Sequence, residues 1–130
     1  MDKIITRVHI KSLKEGDEIY IPSTINTLWW NPRAFKYCQY RKEVVKRITP
    51  KGTKLVTMSG KSLRDKDFIY LPCEEIERRN HIVNEYVFIL KFCHSLEAEL
   101  HKREFSDEEI VKMANMFREV RTILESDKNE

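Results

Sequence analysis

Apolar and polar residues alternate along the first half of the chain and shift to a helical period in the second. Ile4, Thr6, Val8 and Ile10 alternate with polar or smaller neighbours, and Ile19 and Ile21 flank Tyr20. Val44, Lys46 and Ile48 fall on one face, while Leu55–Met58 and Phe68–Leu71 are short β-rich runs. A period of two is that of a half-buried strand, so about five strands are predicted. Between them Glu15-Gly16-Asp17, Pro50-Lys51-Gly52 and Ser59-Gly60 supply a glycine for positive φ or a proline to set a bend. Short strands so closely punctuated close most economically into a small barrel.

After Pro72 the period lengthens. Ile82, Tyr86, Ile89, Cys93, Leu96 and Leu100 follow steps of four and three, which predicts a helix from near Glu74 to near Arg103, about 45 Å long at ~1.5 Å per residue. Ser106 with Glu109 three positions on forms a capping box, with Phe105 placed to staple onto Ile110. Ile110, Met113, Ala114, Phe117, Val120 and Leu124 then make the apolar face of a second helix, joined to the first by a link short enough for an antiparallel hairpin. Nine of the twelve residues from Ile82 to Cys93 are apolar, so cover on several sides is expected there, from the second helix, the barrel or a symmetry mate. The expected fold is therefore α+β. A small antiparallel β-barrel occupies residues 1–71 with an insertion at 23–40, and an antiparallel two-helix hairpin at 72–130 packs on it.

Composition narrows the function classes. The chain has 130 residues, 41% hydrophobic and 35% charged, an ordinary globular balance. No stretch approaches the ~18 apolar residues of a membrane span, so no membrane partner is expected. Three glycines in all, Gly16, Gly52 and Gly60, leave no clustered-glycine phosphate loop or dinucleotide fingerprint. Cys38, Cys73 and Cys93 are odd in number and lack CxxC spacing, and the start of the chain reads as a strand, not as the apolar core of a signal peptide. The expectation is a cytoplasmic protein without cofactors whose cysteines are small buried apolar side chains.

Charge is divided unevenly. Residues 1–71 carry 15 Lys and Arg against 7 acids, and residues 72–130 carry 9 against 14. Between Arg33 and Lys66 eleven basic residues face only Glu43 and Asp65. Residues 28–42 interleave bases with aromatics: Trp29, Trp30, Arg33, Phe35, Lys36, Tyr37, Tyr40 and Arg41. Single-stranded nucleic acid is held by this pairing, because aromatic faces stack on bases while cations neutralise phosphates. Core packing of the tryptophans and a protein-binding loop are the competing uses. Arg47, Lys51, Lys54, Lys61 and Arg64, on or beside the strands and turns that follow, can extend one cationic surface, with protection of edge strands as the competing use of the lysines.

Catalytic chemistry finds little support. His94, Glu97, His101 and Glu104 share a helical stripe, but the two imidazoles lie ~10 Å apart along the axis, too far for one ion. Cys93 and His94 are neighbours that a helix turns ~100° apart, so they form no thiolate–imidazole couple. Asp65 and Asp67 sit among cations in a charged turn. Neither a metal site nor an enzyme is expected.

Lys14-Glu15-Gly16-Asp17-Glu18-Ile19-Tyr20-Ile21-Pro22 resembles the opening of small SH3-like barrels of the KOW kind, in which a Gly-Asp turn feeds an alternating first strand, and Arg41–Met58 is similar to the hairpin that follows. The resemblance spans residues 13–71 and is interrupted by the insertion at 23–40. In style, a small barrel followed by a charged hairpin is similar to accessory proteins of phages and mobile elements, including anti-CRISPR-type inhibitors. The functional expectation is a non-enzymatic module whose basic barrel engages nucleic acid or a nucleoprotein complex, with a homodimer formed through the helices. The alternative is a phage-borne inhibitor or adaptor that binds a host nucleic-acid-handling protein, with Trp29, Trp30 and Arg33 as its anchors.

Overall fold

The computed structural model describes residues 4–23 and 35–126. It is an α+β chain: four antiparallel strands in a curled half-barrel, β1 (Glu18–Ser23), β2 (Gln39–Ile48), β3 (Lys54–Thr57) and β4 (Ser62–Arg64), in the order β1-β2-β3-β4, followed by helices α1 (Glu74–Leu100) and α2 (Asp107–Glu125). Two compact units divide it, Met1–Cys93 and His94–Glu130. No helix of the described residues is long and apolar enough to cross a membrane.

In the first unit the concave face of the sheet holds Ile19 and Ile21 of β1, Val45 of β2, Leu55 of β3 and Leu63 of β4, closed by Ile10, Leu13 and Ile69. These side chains share a face because a strand alternates sides every residue. The turn between β3 and β4 needs a glycine, since Gly60 sits at φ +92°, where a side chain is strained. At Gly52, φ +70°, an added Cβ would stand 2.9 Å from the Lys11 side chain.

Three strand expectations are revised. A bulge between Val45 and Arg47 shifts the register of β2 on β3, so Val45 and Ile48, three apart, both pack on the core, while Lys46 is exposed. An extra residue in one strand breaks the period of two, and Val44, Lys46 and Ile48 do not share a face with the core. Residues 4–10 form no strand. Val8 and Thr6 bond to the backbone of Ile69 and Leu71, Arg7 bridges Tyr70, and a 3-10 turn at Ile10–Ser12 plugs the core with Ile10. Phe68–Leu71 likewise contributes only bridges, Tyr20 and Tyr70 exchanging both backbone hydrogen bonds at 2.8 and 2.9 Å.

The other face of β1 and of the start of β2 is covered by the start of α1. Tyr20, Cys73 and Ile76 form a second core, joined by Ile5, Tyr40 and Tyr70. Asn80 of α1 receives the Tyr40 N–H and donates to the Tyr40 carbonyl, both at 2.8 Å. The covered stripe of α1 thus runs Ile76, Asn80 and Val83, with Cys73 just ahead of the helix, rotated from the expected Ile82–Ile89–Cys93 line. Phe88, Ile89 and Phe92 are exposed, as is Cys93, so the cover expected on several sides of Ile82–Cys93 is one-sided. A helix apolar nearly all round carries no periodic signal for which face will be buried.

In the second unit the helix start read from sequence is present. The Ser106 hydroxyl accepts the Glu109 N–H and the Glu109 carboxylate accepts the Ser106 N–H. Arg103 reaches Glu109 at 3.1 Å and lies over the Phe105 ring. No residue of α2 is buried.

Candidate nucleic-acid interface

β3 alternates inward Leu55 and Thr57 with outward Lys54 and Val56, and β4 places Leu63 inward between Ser62 and Arg64. Register then decides which outward side chains meet. Lys54 is directly opposite Arg64, Val56 opposite Ser62, and Arg47 opposite Val56 after the bulge. Directly opposed residues share a face, on strands ~4.8 Å apart. Arg47, Lys54 and Arg64 therefore lie together on the convex face of β2-β3-β4, with Lys51 exposed on the adjoining turn. Among the described residues no carboxylate stands within 4.0 Å of the charged nitrogens of these four, although the Asp67 carboxylate accepts the Arg64 backbone N–H at 2.8 Å. Like charges directly across a ladder are destabilising, and no described ion pair offsets this one. A groove of about 230 Å³ runs along this face, lined by Arg47, Ile48, Thr49, Pro50, Lys54 and Val56: cations at its walls, an aliphatic floor between.

Arg41, Lys36, Tyr37 and Tyr40 make contacts within the chain. Arg41 lies on the core face and pairs its Nε at 3.1 Å with Oε2 of Glu43, whose side chain is only 4% exposed. Glu43 Oε1 accepts from Ser59 at 2.7 Å, and Ser59 meets Thr57 at 3.0 Å. The Arg41 N–H groups are not aimed along a hydrogen bond to Oε2, which has a charge partner but no hydrogen-bond donor. The charge of Arg41 is thereby largely spent within the fold.

Lys36, Tyr37 and Tyr40 belong to a clasp against α1. The Tyr37 hydroxyl accepts from Arg78 at 3.0 Å, the Arg79 guanidinium lies 4.9 Å from the centre of its ring, and Lys36 Nζ 5.3 Å from it. Arg78 and Arg79 both bond Glu75. Those hydrogen bonds hold the Glu75 carboxyl down to about 2, and the Arg78 bond lowers the Tyr37 phenol. Burial raises the Tyr40 phenol, with Cys38 adding to the effect. Phe35 stacks on Tyr86 at 4.1 Å, and Gln39 donates to Asn84. These rings are engaged by the chain itself, where stacking on bases was expected. The α1 partners were missed at the sequence level, although Glu75 at i with Arg78 and Arg79 at i+3 and i+4 is legible as a helical ion-pair pattern. Trp29, Trp30 and Arg33 lie outside the described residues.

A second cleft, of about 300 Å³, lies between β1 and β4, lined by Ile21, Pro22, Lys61, Lys66, Asp67 and Phe68. Among the described residues no group of three His, Cys, Asp or Glu side chains is gathered closely enough to hold a metal ion. The chain matches no family model, no curated protein and no solved structure.

Proposed function

We propose that this protein is a binding module that engages nucleic acid through the convex face of β2-β3-β4. The observation that carries the reading is Lys54 set directly across from Arg64, with Arg47 beside them and no described ion pair to any of the three side chains. A sheet that keeps opposed cations gives up stability that an acid at either position would restore, and a polyanion supplies the missing charge from outside. Among the described residues the contacts on offer are to phosphates, because Arg78 and Arg79 of α1 engage Tyr37 and Tyr40 packs on the second core. The groove floor of Ile48, Pro50 and Val56 offers an apolar surface to the sugar or base edge.

Fluorescence anisotropy of labelled oligonucleotides across a salt series tests this. With three to four phosphates neutralised, log K should fall against log salt with a slope of about −3, and the double charge reversal Lys54→Glu and Arg64→Glu should flatten it by about 2. Absent or salt-insensitive binding overturns the reading. Capture of a protein partner that survives nuclease treatment, in the absence of oligonucleotide binding, moves the same face to a nucleic-acid-handling protein.

A further inference from the structure

We propose that α2 is a self-association surface that pairs antiparallel with α2 of a second copy, an inference independent of the nucleic-acid reading. Ile110, Met113, Phe117, Val120 and Leu124 follow steps of three and four, the seam of a two-helix interface. Yet no residue of α2 is buried, and Ile110, Phe117, Val120 and Leu124 are 40–66% exposed. Met116 and Ile123 flank the stripe and are 54% and 72% exposed, which widens the uncovered apolar face. Most helical stability in proteins comes from packing of an amphipathic face, and α2 has no buried residue, so a covering partner matters to it.

The stripe is complementary to its own reverse. In an antiparallel pair centred at residue 115, Ile110 meets Val120 of the second copy, β-branched against β-branched. Met113 meets Phe117, thioether against ring. Both contacts recur by the two-fold axis, as an isologous interface requires. The same register brings the acidic first turn, Asp107, Glu108 and Glu109, level with the turn carrying Arg121 of the other copy, and sets the two helix dipoles head to tail. A parallel pair would instead stack the two acidic turns on each other, which disfavours it.

Sedimentation equilibrium on the full chain from about 1 to 200 μM tests the proposal, the concentrations spanning dissociation constants from tight to weak. The expected result is a dimer that Phe117→Glu weakens at least a hundredfold, while Val111→Glu, exposed but off the seam, leaves it unchanged. Should Phe117→Glu lower the helical circular dichroism of the monomer, Phe117→Ala and Val120→Ser are read in its place, with at least tenfold weakening expected. A wild-type chain that stays monomeric across the range overturns the proposal. So does a dimer indifferent to the seam variants, or one that Val111→Glu disrupts equally.

Discussion

Lys54 and Arg64 are opposed on adjacent strands, and at the scale of one residue this arrangement separates stability from binding. Replacing Lys54 with Glu converts a repulsive cross-strand pair into an attractive one, which should stabilise the sheet by about 0.2–1 kcal/mol. The same change removes a cation from the groove. Lys54→Glu is expected to raise the urea midpoint while lowering oligonucleotide affinity, both measured on one preparation. A loss of both would mean that the Lys54 side chain is needed for the fold. Arg41 is the contrasting residue. Its charge sits against the buried Glu43 carboxylate, so it answers to the core and not to the convex face, despite being as basic in sequence as its neighbours.

Among the elements, α1 and β2 depend on each other through few groups. Asn80 satisfies both backbone groups of Tyr40, a bidentate contact where the strand has no ladder partner on that side. Truncation to alanine leaves a half-buried N–H and C=O without partners, at about 1–3 kcal/mol. Asn80→Ala should therefore lower the unfolding free energy by about 2 kcal/mol in urea titrations, and Asn80→Asp should do no better, since it keeps the acceptor but loses the donor. Oligonucleotide affinity of the folded variants should be unchanged, because Asn80 lies on the part of the sheet that α1 covers. Pro22 makes a complementary point about β1. Tyr20 directs its N–H away from β2, to Tyr70, and Pro22, two residues on, points the same way but has no N–H to offer, which blunts an open edge.

For the whole molecule, two carboxylates hold the acid limit. Glu75 is kept at about 2 by hydrogen bonds from Arg78 and Arg79, and Glu109 at about 2 by Arg103 and the Ser106 backbone, against an ordinary value of 4.5. A carboxyl whose folded value is depressed contributes stability that is complete above the ordinary value and disappears as pH falls through the folded one. Stability should hold flat from neutral pH to about 4.5 and decline between about 4.5 and 2. Far-ultraviolet circular dichroism during acid titration checks this, and Glu75→Gln together with Glu109→Gln should remove much of the slope. A decline that began near pH 6 would overturn this assignment.

Local chemistry was enough to specify the helix start at Ser106, because a capping box needs only residues three apart. It also specified the glycine turns, since positive φ excludes most other residues, and the alternation of Ile19, Tyr20 and Ile21 between two cores. The concentration of cations between Arg33 and Lys66 was equally plain from the chain. Which of them share a surface was not, because a bulge at Lys46 and the pairing of β3 with β4 set that register across strands. Nor could a period reveal that Tyr37 and Tyr40 meet α1, or which side of α1 is covered, because a helix apolar on every side leaves the choice to packing. Composition and local stereochemistry thus determined the helices, the turns and the sign of the charge; only tertiary pairing decided which runs became strands, which charges stand together and which are cancelled within the fold.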